Sequence, residues 1–590
     1  MEAFKKKRSS FNLFTVFCLV IAFLGCTPDS PKTPVKQQTE SQHDRSPKVS
    51  QRRLAETFPS IAAFTDMAVK SGIEFTYRNG EESGHFAILE SLGGGVGMID
   101  YDNDGDVDLF VPGGGRYESE KKTVGLSPGL FRNLGDWRFV ETAEAAGAAT
   151  APWYSHGAAM TDFDNDGFSD VLVTGYGGLL FFQNQGDGTF REIARATGLT
   201  DDQWSSSAAC GDVDGDGNPD FYVAHYVNWS PENNPICEGP EAGLREVCPP
   251  RRFDPLQDII YHNNGDCTFS DITSQIPLRT DGKGLGVVMA DVDLDGHIDI
   301  YVANDTVPNF LYRNNGDGTM EDASTRSGTS LSDSGTPEGS MGVDVGDYNL
   351  DGRPDIWVSN FERESIALYR NDGNFVFQHV SRSTGVTAVG GLAVGWGTVF
   401  LDFDRDGDED VFVSNGHVIR YPQNAPLRQT PLLFQNDPGP RFHNVAPTGG
   451  DYLQTPHMGR GVACGDLDND GDQDLVVSCN NEPLVVLANN SSTNNSLVIR
   501  LIGIRSNRDA VGAFVKVRVA SGQPEMLRLV KAGGSYASSN DNRLFFGVGS
   551  ATMVEDVEIH WPSGVLQNLK GVSIEETLVL LEPKKGFIDK

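Results

Sequence analysis

Seven short strings of the form D-x-[DN]-x-D-G-x-x-D carry most of the chemistry this sequence can offer. They begin at Asp100, Asp162, Asp212, Asp291, Asp347, Asp402 and Asp466, at intervals of 62, 50, 79, 56, 55 and 64 residues. Chance does not place a nine-residue pattern seven times at such spacing. Side chains at positions 1, 3 and 5 point into one turn of loop. Glycine at position 6 permits the sharp bend, and the aspartate at position 9 closes the cage from the other side. Oxygen donors so arranged suit a hard cation, above all calcium. The candidate ligands are Asp100, Asp102, Asp104 and Asp108; Asp162, Asp164, Asp166 and Asp170; Asp212, Asp214, Asp216 and Asp220; Asp291, Asp293, Asp295 and Asp299; Asp347, Asn349, Asp351 and Asp355; Asp402, Asp404, Asp406 and Asp410; and Asp466, Asp468, Asp470 and Asp474. Up to seven Ca²⁺ are expected, with the Asn349 site weakened by one missing charge. Packing three carboxylates together with no cation is costly.

The elements that must hold these loops are strands. An EF-hand would need an acid at position 12 and flanking helices. Position 12 is instead valine in all seven copies, and it ends a β-forming triplet such as Leu109-Phe110-Val111 or Ile356-Trp357-Val358. Ahead of the loops stand small residues, as in Gly93-Gly94-Gly95-Val96-Gly97, Gly157-Ala158-Ala159, Gly284-Leu285-Gly286 and Gly459-Arg460-Gly461-Val462-Ala463. Small residues on a strand suit close backbone approach near a crowded axis. Between the loops, Asn184 to Phe190, Asn263 to Phe269 and Asn314 to Met320 read as hairpin turns into a further strand. No such turn follows the last loop, whereas Phe64 to Ile73 carries the matching ending before the first. The seventh unit is therefore expected to be completed by the N-terminal segment. Radial repeats of this length predict a seven-bladed β-propeller, with an open solenoid as the other reading.

The rest of the 590 residues bounds the function. The formal charge is −35, from 82 acids against 47 bases. A basic face for nucleic acid or for an anionic membrane is therefore not expected. The loops alone hold 27 of those acids. A basic head (Lys5 to Arg8) precedes an apolar run from Phe11 to Leu24 and then Gly25-Cys26, which resembles a lipoprotein signal with Cys26 as the lipidated residue. Phe23 departs from the usual leucine, and an ordinary signal peptide or an uncleaved anchor is the alternative. Residues 1–25 are expected to be the signal and 26–57 a polar, flexible tether.

The repeats, over 58–490, resemble the FG-GAP/VCBS family, whose integrin-like loops bind calcium through positions 1, 3, 5 and 9 and a main-chain carbonyl at position 7. Residues 491–590 resemble the ASPIC/UnbV domain, through Asn507 to Ala513, Gly533-Gly534-Ser535-Tyr536, Phe546-Gly547-Val548-Gly549 and Trp561-Pro562-Ser563-Gly564 in that order. About six short strands are expected there, in a small β-sandwich-like domain. The whole chain is similar to the bacterial relatives of cartilage acidic protein. That resemblance implies an all-β architecture and calcium, and no reaction.

Cys237 and Cys248 lie in a Pro/Gly-rich insertion and are expected to form a disulfide. For Cys464 and Cys479, on expected adjacent strands, a bond and buried thiols both remain open. No C-x-x-C-H, H-E-x-x-H, G-x-S-x-G or P-loop occurs. His156, His457, His417 and Arg460 would lie near the mouth of the ring, either as a polar pocket or as satisfied structural groups. Two functions follow. One is a calcium-rigidified scaffold at the cell envelope, lipid-anchored or secreted, that binds an extracellular or periplasmic protein or a glycan. The other is a lyase, dehydratase or hydrolase acting on carbohydrate in the central funnel.

Overall fold

The computed structural model describes residues 63–584, apart from positions 390, 438 and 492. The signal segment, Cys26 and the tether lie outside the described residues. The architecture is all-β, and the described α-helices are single turns of four residues, such as Ala194–Thr197.

Each acidic loop joins the first and second strands of a four-stranded antiparallel sheet. In sheet 1 these strands are Gly97–Ile99 and Asp108–Val111, followed by Gly129–Asn133 and Phe139–Glu141. Sheets 2 to 6 begin at Tyr154, Ser205, Gly284, Val343 and Gly395 and repeat this order. Sheet 7 takes Gly459–Gly465, Asp474–Cys479 and Val485–Asn489 from the end of the repeats. Its fourth strand is Phe64–Asp66, with Phe64 opposite Asn489. The N-terminal segment thus completes the last unit, as expected from the missing turn.

Burial on both faces explains the valine-rich second strands. In Asp108–Val111, Leu109 and Val111 pack against sheet 7, while Phe110, pointing the other way, packs against sheet 2. Separate cores of this kind lie between sheets 2 and 3, 3 and 4, 4 and 5, 5 and 6, and 6 and 7. The first strands touch in the same cyclic order, that of sheet 7 meeting that of sheet 1. Among the described residues no sheet is closed on itself.

The C-terminal part adds a three-stranded sheet (Leu544–Gly549, Asn495–Ile502, Leu578–Leu581) and a four-stranded one (Met526–Leu529, Phe514–Arg518, Met553–His560, Leu566–Ser573). Leu497, Ile499 and Phe546 of the first share a core with Val515, Val517 and Val557 of the second. The strand count exceeds the six expected. Eight are present from Asn495 to Leu581. One of them, Ala532–Gly533, pairs with Val288 and Met289 and so extends sheet 4.

That last pairing starts a segment that runs along the inner strands of the ring. The Gly534 and Ser539 amides donate to Val287 and Val96, the Asp541 amide to Cys464, and the Ser535, Ala537 and Ser539 carbonyls accept from Val343, Ala158 and Met98. The Ala537 amide donates to Ser207 Oγ at 3.0 Å. Residues 533–541 thus touch all seven sheets, with Tyr536 wholly buried and packed against the Trp396 ring of sheet 6. This explains the small residues ahead of the loops: a Cβ on Gly95 would lie 1.7 Å from the Ala537 carbonyl oxygen.

Candidate metal centres

The loops share a set of local bonds, from which the first departs at Asp100, whose Oδ1 has no hydrogen-bond partner, and the fifth at Asp355, whose Oδ2 has none. Glycine at position 6 has a positive φ, between 78° and 103° from Gly352 to Gly407. This turns its amide and that of position 5 back onto the first aspartate, as in Gly167 and Asp166 to Asp162 at 2.7 and 2.9 Å. The aspartate at position 9 starts the second strand. One of its oxygens accepts the amide of position 2, as in Val292 to Asp299 at 3.2 Å. Its other oxygen accepts the main-chain amide of an asparagine on the third strand, at 2.7–2.9 Å in all seven sheets.

That asparagine is a structural residue; at Asn184, Asn263 and Asn314 the sequence shows it only as the start of a hairpin turn. The seven are Asn133, Asn184, Asn263, Asn314, Asn371, Asn436 and Asn489. Each donates its side-chain amide to the carbonyl of loop position 2 in the preceding sheet, at 2.6–2.9 Å. The series closes: Asn184 reaches Tyr101, and Asn133 reaches Leu467 of the seventh loop. The signal was present as an Asn at the end of each third strand, about 25 residues after its loop in sheets 1 and 6 but 43 in sheet 3. Insertions vary that spacing and hide it.

The structure brings the candidate ligands together. Asp100, Asp102 and Asp108 place carboxylate oxygens within 4.8 Å of one another, as do Asp162, Asp164 and Asp170, Asp212, Asp214 and Asp216, and Asp291, Asp293 and Asp295. Burial, reinforced by neighbouring carboxylates, pushes Asp108 up to about 9 and Asp291 to about 7. At position 3 the Oδ1 atoms of Asp102, Asp164, Asp293 and Asp468 are buried with no hydrogen-bond partner. Buried carboxylate oxygens are rarely left unpaired. These atoms fit an oxygen-ligated cation, whose bonds would replace the missing donors. In the fifth loop Asn349 stands at that position, and Arg353 lies 2.5 Å from Asp351. In the first and fourth loops an arginine reaches the cage: Arg132 is 2.5 Å from Asp102, and Arg313 is 2.8 Å from Asp293.

The C-terminal strands sit on this loop face. Asn165 accepts the Arg508 amide at 2.8 Å, Arg543 donates to the Asp466 carbonyl at 2.6 Å, and the Gly547 amide reaches Asp402 at 3.0 Å. The opposite face carries the connections from second to third strands and from fourth to first. Three of them meet there: residues 77–95, the insertion 227–257 of sheet 3, and 416–429 of sheet 6. The Cys237–Cys248 disulfide closes the second of these. Beside it, Glu246 accepts the amides of Arg420 and Tyr421 at 2.9 and 2.8 Å. Cys464 and Cys479 are free thiols, as are Cys210 and Cys267. Register explains the first two: Cys464 lies opposite Leu475, and Cys479 lies opposite Gly459.

The polar groups at the ring mouth are structural. Arg460 is buried, donates to the carbonyls of Ser91, Leu92, Gly416, His417 and Gly459, and lies 4.3 Å from the Trp396 ring. Burial lowers it to about 10. His156 accepts the Trp204 indole N–H at Nε2 (2.9 Å), so its proton is on Nδ1, 3.1 Å from the Gly93 carbonyl. His417 is buried too, its ring 3.6 Å from Glu362, while His457 stacks on Tyr452 and meets Glu482 at 3.2 Å.

Fold and site together define an all-β repeat protein with acidic, oxygen-rich loops and a C-terminal module seated on them. The FG-GAP-like repeat family matches residues 100–173, 162–223, 254–302, 291–358 and 347–413, and the ASPIC and UnbV family matches 503–586. The chain belongs to the FG-GAP repeat proteins that carry an ASPIC/UnbV domain. It is 26% identical to cartilage acidic protein 1 of Homo sapiens over 523 residues, covering 83% of this chain and 72% of that one. It is 26% identical to the Mus musculus protein over 514 residues, covering 83% and 73%. Among solved structures, the BP39L lectin of Burkholderia pseudomallei is similar at 9% identity and a TM-score of 0.42, over 67% of this chain and 96% of that one. An Agrocybe aegerita lectin described as recognising non-reducing terminal N-acetylglucosamine is similar at 17% identity and a TM-score of 0.37, over 68% and 95%. At these scores neither likeness bears on what this chain does.

Proposed function

We propose that this protein is a calcium-stiffened, seven-bladed β-propeller that serves as a binding scaffold for a protein or glycan at the cell envelope. In this reading the C-terminal β-sandwich is a lid on its calcium face. The single observation that carries the calcium reading is the set of buried, unpaired carboxylate oxygens at position 3 of four loops. Seven similar cages spread around a ring act as staples, since a reaction needs one cage with an open position.

The filled axis favours a scaffold over a funnel enzyme. Residues 533–541 occupy the place where a substrate of a lyase, dehydratase or hydrolase would lie, and Arg460 and His156 are spent on internal bonds. The face opposite the loops is the one left for a partner. It carries an open cleft of about 410 Å³, lined by Arg78, Glu81, Glu82, Phe86, Arg420 and Tyr421. Export and lipidation at Cys26 place the scaffold at the envelope; Cys26→Ala is expected to abolish palmitate labelling.

Elemental analysis and melting with and without EDTA test the calcium reading. Each filled site adds about 2.7 kcal/mol at a hundredfold excess over Kd, so chelation should lower Tm sharply and magnesium should restore it poorly. Asp404→Ala should remove more of the calcium-dependent stability than Asp351→Ala, because Asn349 already weakens the fifth loop. A calcium-free protein whose melt EDTA leaves unchanged would overturn the reading. Glycan and protein arrays with the calcium-loaded chain then identify the partner.

A further inference from the structure

We infer that the third loop, Asp212 to Asp220, holds a first-row divalent cation through an imidazole nitrogen as well as through oxygen, and so differs in metal from its sister loops. The inference rests on the reading above that these loops are cation sites.

The residue before the third-strand asparagine, which clasps the neighbouring loop, itself reaches the loop of its own sheet in sheets 1, 2, 3, 4 and 6. In sheets 1, 4 and 5 it is an arginine (Arg132, Arg313 and Arg370), which has no lone pair to give a metal. In sheets 2 and 6 it is Gln183 or Gln435. In sheet 3 it is His262, whose Nδ1 lies 3.1 Å from Asp220 Oδ1 and 3.5 Å from Asp214 Oδ2. The three groups can offer one atom each within 4.8 Å of one another, and Asp214 is shared with the cluster of Asp212 and Asp216.

These separations, 3.1 and 3.5 Å, come close to the edges of a coordination shell. Bonds of about 2.1 Å at tetrahedral or octahedral angles put neighbouring donors roughly 3.0–3.4 Å apart. Calcium takes oxygen donors, whereas imidazole with carboxylates suits zinc and its first-row neighbours. His262 is part-exposed, so the ring can present its Nδ1 lone pair with the proton on Nε2. At the same register the other loops have only an amide, a guanidinium or, in sheet 7, a methyl group (Ala488).

The test uses the full-length protein, stripped and reloaded with excess Ca²⁺, with Co²⁺ as the optical probe and Zn²⁺ measured by elemental analysis. The native chain should keep one equivalent of Co²⁺ or Zn²⁺ against the calcium. His262→Gln, which copies sheets 2 and 6, should weaken that binding by roughly tenfold or more while the calcium content of the other loops is unchanged. His262→Arg, which copies sheets 1, 4 and 5, should abolish it. Pulsed EPR of one equivalent of Mn²⁺ on the native chain should show ¹⁴N coupling, and needs no variant. Equal Co²⁺ and Zn²⁺ binding by native and variant chains, or no nitrogen coupling, would leave His262 as a hydrogen-bonding partner only and overturn the inference, with calcium bound as before. A native chain that binds neither calcium nor cobalt would instead bring down the cation reading of the loops itself.

Discussion

Gly95→Val should drive residues 533–541 out of the ring. The added Cβ would meet the Ala537 carbonyl oxygen at 1.7 Å and the Ala537 carbonyl carbon at 2.3 Å. Both are backbone atoms, so no rotamer change relieves the clash. The segment carrying Gly95, just ahead of the first strand of sheet 1, is itself held on the other side by the Gly95 amide bond to the His156 carbonyl at 2.9 Å. Residues 533–541 are the part that must move. Six main-chain bonds hold them, to Val287, Val343, Ala158, Val96, Met98 and Cys464. At about 0.5–1.5 kcal/mol net per bond, their loss amounts to roughly 3–9 kcal/mol. That is comparable to the whole stability of a typical domain, about 5–15 kcal/mol. The variant should therefore lose hydrogen-exchange protection over 533–541 and become open to chymotrypsin at Tyr536, which is buried in the native chain. The sheets of the ring should persist by far-UV circular dichroism. Gly391→Val is the control, because nothing lies within 4 Å of its Cβ and its backbone is unstrained. Native-like protection of 533–541 and an unchanged Tm in Gly95→Val would refute the reasoning.

Three further outcomes are expected. Burial lowers His156 from the ordinary range to about 4, so the unfolded chain takes its proton near pH 6.5 while the folded chain resists. The stability this residue contributes is full above pH 6.5 and is lost as pH falls towards 4, by roughly 3 kcal/mol in all; His156→Gln should flatten that limb of the Tm-versus-pH curve, and an unchanged limb would exclude the residue as its source. Asn314→Ala strips a buried donor from the Val213 and Ile298 carbonyls, at about 1–3 kcal/mol for each orphaned group; denaturant midpoints should show the loss, and Asn315→Ala, on the exposed turn, should not. Replacing Cys237 and Cys248 by serine frees a loop closed over a separation of 11 residues, worth about 3 kcal/mol on chain entropy; exchange protection of 237–248 should fall by about two orders of magnitude, and equal protection would show that Glu246 and its partners hold the insertion without the bond.

What the chain alone revealed was what its chemistry keeps local. An oxygen cage fits in nine contiguous residues, so Asp100 to Asp108 and its sisters are legible as written. The valine at position 12 betrays the strand that follows, and the missing seventh turn points to the segment from Phe64 to Ile73 as the one that completes sheet 7. Cys237 and Cys248 are close enough in sequence to be paired on sight. Apart from that closing segment, partnerships between distant segments were not legible. Gly533 to Asp541 reads as a motif of the terminal domain, yet its burial depends on glycines and alanines in strands up to about 440 residues away, each shaped only by a missing side chain. Arg460 and His156 look like site residues because their types are reactive. Tertiary structure decided otherwise, since backbone carbonyls and the Trp204 indole, invisible in a list of side chains, use up their hydrogen-bonding capacity. Cys464 and Cys479 sit on paired strands as expected, but β-register sets which residues face each other, and a register is fixed by the packing of whole sheets. The clasp asparagines failed for the same reason: each serves a loop in the neighbouring sheet, and only closing the ring brings Asn133 to Leu467.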